Sequence, residues 1–213
     1  MQDTPYIAED FDGEEVLRAF EIALLGVTPR GFSLFHPDPE GNPAAQWVRW
    51  LNEWFTPVIA PAFVKIYSLA NDFRIREIEE AEKLFDEKLN RSSREGSLQA
   101  AESFLEGKTK MRHHPEWQRF VSRISEGKTP GHVLTLAALQ SVLYHLPLAS
   151  ALLAYARFEF QLGIRKTAAG RSDEEKEALF LKALPHVQVA VRLKIDHISD
   201  GKNGDNPGGL RSI

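Results

Sequence analysis

The stretch TPGHVLTLAALQSVLYHLPLASALLAYA, residues 129–156, decides the fold. It lies between Lys128 and Arg157 and contains no Asp, Glu, Lys or Arg. Gln140, Ser141, His145 and Pro147 interrupt it, so it holds no clean run of about 20 apolar residues and is not a membrane span. It reads instead as two helices, one from His132 to Leu146 and one from Leu148 to Lys166, parted by Pro147. Helices that are apolar all round are buried ones. The two therefore form a central hairpin, and the rest of the chain must wrap it.

Outward from the hairpin, nearly every periodic segment has the helical period. On the N-terminal side, Glu14 to Val27 follows a cap at Asp12, with Glu15 placed as in a capping box. Trp47, Trp50, Leu51 and Trp54 recur at i, i+3, i+4 and i+7, one apolar face. Pro57 and Pro61 then break the chain before a helix around Ala62 to Ala70. Ile78, Ala81, Phe85 and Leu89 line one side of a charged helix. Its other side offers Glu79 to Lys83 and Glu87 to Arg91 at i, i+4, and Glu77, Glu79, Glu80 and Glu82 read as a solvated face. A further helix runs from Ser93 to Leu105 and stops at Gly107. Pro115 opens the next, whose Trp117, Phe120, Val121 and Ile124 keep the apolar spacing to Gly127. On the C-terminal side, Ser172 with Glu175 caps a helix to about Leu184, and Pro185 splits it from the next segment.

That segment, Val187 to Ile195, VQVAVRLKI, alternates at period two and so argues for a strand. No other segment can pair with it, and an isolated strand leaves its backbone unsatisfied. A helix is therefore expected there. The whole is one all-α domain, a multi-helix bundle over residues 1–198, with a Gly-rich flexible tail at 199–213.

With 213 residues and no cysteine, thiol catalysis, disulfides and thiolate metal sites are excluded. The net charge of −4 gives no drive toward nucleic acid or an anionic membrane. The acidic start, MQDTPYIAEDFDGEE, lacks the pattern of a secretory signal, and a cytoplasmic location is expected. The sequon at Asn90 is accordingly incidental.

Signals for chemistry are weak. EGKT occurs at Glu106 to Thr109 and again at Glu126 to Thr129, but the glycine a phosphate loop needs five residues earlier is Glu102 or Ser122, and both copies end helices. No histidine has Glu three residues before it, as a helical di-iron site requires. His113 and His114 precede Pro115 in a turn, and His132 and His145 are expected as hydrogen-bonded core histidines. No G-x-S-x-G elbow appears. The Trp stripe is expected as core or subunit interface rather than a ligand wall.

Three places resemble the urease accessory protein UreF family, over roughly Val16 to Leu184. Gly31-Phe32-Ser33 is similar to the end of its LPVGGFS-type segment. Arg94-Glu95-Gly96-Ser97-Leu98-Gln99 is similar to its R-E-x-S-L-Q helix. Gly170-Arg171-Ser172-Asp173-Glu174-Glu175-Lys176 resembles its GQTDGQR stretch, keeping Gly170 and Asp173, with mild replacements at Ser172 and Lys176. The chain departs from the pattern at Arg30, at Leu34 to Glu40, at Arg171 and at Glu174 and Glu175. Such changes can alter partner contacts without altering the fold.

The resemblance implies a non-enzymatic, all-helical, dimerising scaffold. It would join a UreD (UreH)-like accessory protein and a UreG-like GTPase to insert nickel into urease apoprotein, holding no cofactor of its own. Partner contacts would fall at Gly31, Phe32, Ser33, Arg94, Ser97, Gln99, Gly170, Ser172, Asp173 and Lys176, and Gly201 to Ile213 would order against the UreD-like partner. The rival is a small-molecule enzyme or binding protein on a heme-oxygenase-like helical bundle. It requires an enclosed pocket with converging polar groups, such as His132, His145 and a carboxylate around one cavity.

Overall fold

The computed structural model describes residues 34–106, 113–164 and 172–201, with side chains as far as Arg192. Among these residues there is no strand. The helices are α1 (Pro43–Trp50), a π-helical segment (Leu51–Ile59), α2 (Ala60–Asn71), α3 (Ile75–Asp86), α4 (Arg91–Glu106), α5 (Pro115–Ser125), α6 (Val133–Leu143), α7 (Leu148–Ile164), α8 (Asp173–Phe180), a 3-10 turn (Leu181–Ala183) and α9 (Leu184–Gly201). The expected helix at Glu14 to Val27, the stop at Gly107 and the glycine at Gly170 lie outside the described residues; of the tail expected at 199–213, positions 199–201 continue α9 and the rest lies outside the described residues.

The uncharged stretch forms the centre. Every residue of α6 from Val133 to Val142 is buried, because α2, α4 and α7 pack around it. In α7 the buried set includes Ala151, Leu152, Ala154, Tyr155, Ala156 and Phe158. The hairpin core is filled by side chains. Small alanines on both helices let the backbones approach, and each large side chain fully withdrawn from water contributes about 2 kcal/mol.

Helix α6 ends at Leu143, earlier than expected. His145 adopts a left-handed backbone, φ 56°, and the Leu146 N–H returns to the Ser141 carbonyl at 2.9 Å, closing the helix before Pro147 is reached. His145 is consequently exposed rather than a core histidine.

The two prolines do not break the chain. Residues 43–71 are helical throughout, and the interruption is absorbed by the π segment around Pro57. Proline removes one N–H and crowds the carbonyl four residues back. Widening the turn moves the bonds to i→i+5, as where the Ala60 N–H reaches the Phe55 carbonyl. The Trp stripe therefore continues in one line into α2. Trp47 and Leu51 are fully buried, and Trp50 nearly so. Trp47 stacks on Trp50 at 5.0 Å and meets Phe160 of α7 at 4.9 Å, so these two and Leu51 are core, while Trp54 is partly buried and lines a surface cleft.

Helix α3 departs from the solvated acidic face expected of it. Ile78, Phe85 and Leu89 are buried as expected, but so are Glu79 and Glu82. Glu82 lies four residues after Ile78 and three before Phe85, on the apolar face. Its carboxylate accepts the Thr129 hydroxyl, the Gly131 N–H at 3.1 Å and the His132 N–H at 2.6 Å. Those donors lead into α6, whose helix dipole favours a negative charge at this end. Glu79 pairs with Arg123 of α5, not with Lys83. Arg91 pairs with Glu95 at 2.8 Å, not with Glu87. Thr129 of the second EGKT copy thus serves an internal contact, and Gly127, at φ 68°, ends α5 as expected.

The alternating segment is helical, as its lack of a pairing strand required. Val187 and Ala190 of α9 are buried, and α9 packs on α7, α2 and the π segment. Thr56 Oγ1 lies 2.7 Å from His186 Nδ1 and ties the π segment to the first turn of α9.

Glu82→Gln places an amide N–H₂ among three donors, and urea denaturation should show a loss of about 1–3 kcal/mol. An unchanged midpoint would show that the carboxylate does not hold α6. Burial keeps the His186 imidazole below its ordinary value of 6.5. Protonation therefore opposes the docked helix, and the contribution is whole above that pH and lost as pH falls. Between about pH 7.5 and pH 5.5, wild type should lose more stability than His186→Gln, and equal losses would refute this.

Candidate functional site

Helix α4 carries Arg94 to Gln99. It begins where the Asn90 side chain accepts the Ser93 N–H at 2.9 Å, so the residue of the apparent sequon is a helix cap. Along the motif the side chains diverge. Arg94 Nε sits 2.7 Å from Asp86 Oδ1, and Nη2 donates to the Asp86 carbonyl at 3.0 Å. The Arg94 side chain is 42% exposed and that of Asp86 21%. Asp86 also meets His132 Nε2 at 2.9 Å, with the His132 ring fully buried and edge-on to Phe85. Ser97 faces inward, 1% exposed, and its hydroxyl has no partner among the described residues. Gln99 is exposed.

The Gly31-Phe32-Ser33 motif lies outside the described residues, but the chain immediately after it is held firmly. Leu34 donates its N–H to Glu159 Oε2 at 2.6 Å, and its carbonyl accepts the Trp50 indole N–H at 3.0 Å. Glu159 is 1% exposed and also accepts the Tyr155 hydroxyl at 2.7 Å. Burial first, and then the charge of Glu159, push the Tyr155 phenol well above its ordinary value. Phe35 packs directly on α7 at Gly163. Leu34 and Phe35 also border a cleft of about 520 Å³, closed on its other sides by α1 and by Leu89, Asn90 and Ser93 at the start of α4. The chain from Leu34 and the start of α4 therefore meet at one cleft.

The third motif is α8. Gly170 lies outside the described residues. Ser172 caps the helix and forms the capping box with Glu175. Asp173 is 96% exposed and pairs with Lys176 at 3.0 Å. Phe180 anchors the helix, packing on Phe160 at 5.9 Å beneath the Arg157 guanidinium at 4.3 Å. Glu177 holds Arg157 through bonds of 2.9 and 2.8 Å. Arg94, Gln99, Asp173 and Lys176 are thus at the surface, whereas Ser97 is not.

Three amide side chains of the cleft are committed to the fold. In the cleft, Asn42 caps α1, Gln46 bonds both the N–H and the carbonyl of Asp38, and Asn90 caps α4. These polar groups serve the fold and do not converge on a reacting atom. His132 and His145 do not share a cavity, since His132 is buried against Asp86 and His145 is exposed. Among the described residues no three His, Asp or Glu gather to hold a metal, and no helix is long and apolar enough to cross a membrane. The buried carboxylates Glu82, Glu79 and Glu159 were missed as positioning groups. For Glu82 the signal was present, a glutamate on the apolar stripe of its helix.

A family model described as UreF matches residues 41–157, more than half of the chain. The span begins in the cleft and takes in α1 through most of α7, including Arg94 to Gln99. The fragments at Gly31 to Ser33 and Gly170 to Lys176 fall beyond it. No curated protein and no solved structure matches the chain.

Gly163→Ala would place a methyl group 2.6 Å from the Phe35 carbonyl oxygen and against the Phe35 ring. It should cost about 1–3 kcal/mol in a thermal melt. Wild-type stability in this variant would show that Phe35 is not seated as described.

Proposed function

Because the chain belongs to the UreF family, a family of urease accessory proteins, we propose that it is a non-enzymatic cytoplasmic scaffold for urease maturation. In this reading the chain dimerises and joins a UreD-like protein and a UreG-like GTPase, and the complex inserts nickel into urease apoprotein. The GTPase handles the nucleotide, and nickel is cargo of the assembly rather than a resident cofactor of this chain. The observation that carries the reading is the family match across the helices that hold the core together and present α4 at the surface.

The geometry supports contacts from side chains that leave the surface ready-made. Arg94 and Gln99 on α4, with Asp173 and Lys176 on α8, supply charge and hydrogen-bonding groups on helices whose other faces are locked. Ser172 acts by fixing the first turn of α8, and Ser97 by packing α4. The filled hairpin core weighs against the rival reading, which needed an enclosed pocket with converging groups.

Asp173→Lys tests this surface. Its side chain is almost wholly in water, so helix content should remain intact, while charge reversal at a contact should weaken capture of a purified UreD-like protein about tenfold. Lost helix content would assign Asp173 to the fold, and unchanged capture would remove α8 from the interface.

A further inference from the structure

The ion pair at the head of α4 has an unusual distribution of partners. Asp86 has two, the Arg94 guanidinium at 2.7 Å and the His132 ring at 2.9 Å. His132 Nδ1 is buried with no partner among the described residues, which leaves Nε2 as the hydrogen-bonding end of the ring and aims it at Asp86. Arg94 is the more exposed member, 42% against 21% for Asp86 and none for His132. Its Nη2 donates to the Asp86 carbonyl, and its buried Nε lies against Asp86 Oδ1 as an ion pair without a well-directed hydrogen bond. The nearest acidic neighbour on the same helix, Glu95, is occupied by Arg91 at 2.8 Å. The cleft opens beside it, with Asn90 and Ser93 in its wall.

The geometry points to Arg94 as a transferable docking side chain. Asp86 holds it in reserve, and a carboxylate on a partner protein takes it over, while His132 keeps Asp86 hydrogen-bonded after the guanidinium has left. A planar guanidinium recognises a carboxylate through two parallel N–H bonds, and an acidic side chain is therefore the chemistry that fits. His132 lowers the cost of the exchange, because a half-buried carboxylate stripped of every donor would oppose it. Arg94 would then be a contact residue, and Asp86 and His132 would be positioning residues that act through it. The inference rests on the scaffold reading above, in which α4 faces a partner.

The test is a pair of substitutions read by affinity for a purified UreD-like protein and by the stability of the isolated chain. Arg94→Gln should weaken binding about tenfold and leave the circular dichroism spectrum unchanged, because His132 still serves Asp86. Asp86→Asn removes the internal competitor and should tighten binding severalfold, while Arg94→Lys should restore only part of the affinity. A purely structural ion pair would make Arg94→Gln and Asp86→Asn fail together. That parallel loss, or unfolding of Arg94→Gln, would overturn the inference. If wild type binds and both variants bind equally well, this inference alone falls. If wild type does not bind the UreD-like protein at all, the scaffold reading falls and takes this inference with it.

Discussion

Helix α6 has no solvated side, and that constraint organises the molecule. A helix buried all round cannot send the polar groups at its start to water, so the chain must supply donors and acceptors from within. Glu82 does so from α3, through the Thr129 hydroxyl and the two N–H groups that lead into α6. One turn further along α3, Asp86 joins the same region to α4 through His132 and Arg94. The polar framework of α3 is therefore what seats the apolar centre. It is also what brings α4 to the surface in a fixed orientation.

The other wall obeys the same logic with aromatic side chains. Trp50, Trp47, Phe160 and Phe180 form a connected row from α1 through α7 to α8, and the Trp50 indole ties that row to the backbone at Leu34. The π segment keeps the Trp47 and Trp50 end of this row and α2 on one continuous helix despite two prolines. In the proposed role, partners would meet the outer surface of α4 and α8 beside the cleft that α4 helps to close.

The bundle was legible because its signals are collective. Twenty-eight consecutive positions without charge and several stripes at helical spacing point together to a helical bundle around a buried hairpin, and even the alternating Val187 to Ile195 resolves once a lone strand is excluded. Individual side chains were harder. Pro57 and Pro61 read as breaks because a π turn has no pattern of its own. His145 read as buried because its left-handed backbone depends on how α6 closes, not on the surrounding composition. Glu82 was hidden by company: among Glu77, Glu79 and Glu80 its charge suggests water, and only its register with Ile78 and Phe85 places it inside. At the surface, the motif around Arg94 could be located, but which of its side chains point outward depends on where α4 meets α6.

Hydrogen–deuterium exchange on the chain alone and with a UreD-like protein bound reaches the central claim most directly. The account predicts that α6 exchanges slowest in both states and that the partner adds protection on α4 and α8. Rapid exchange in α6 of the free chain, or a complex that protects the interior while leaving α4 and α8 unchanged, would contradict it.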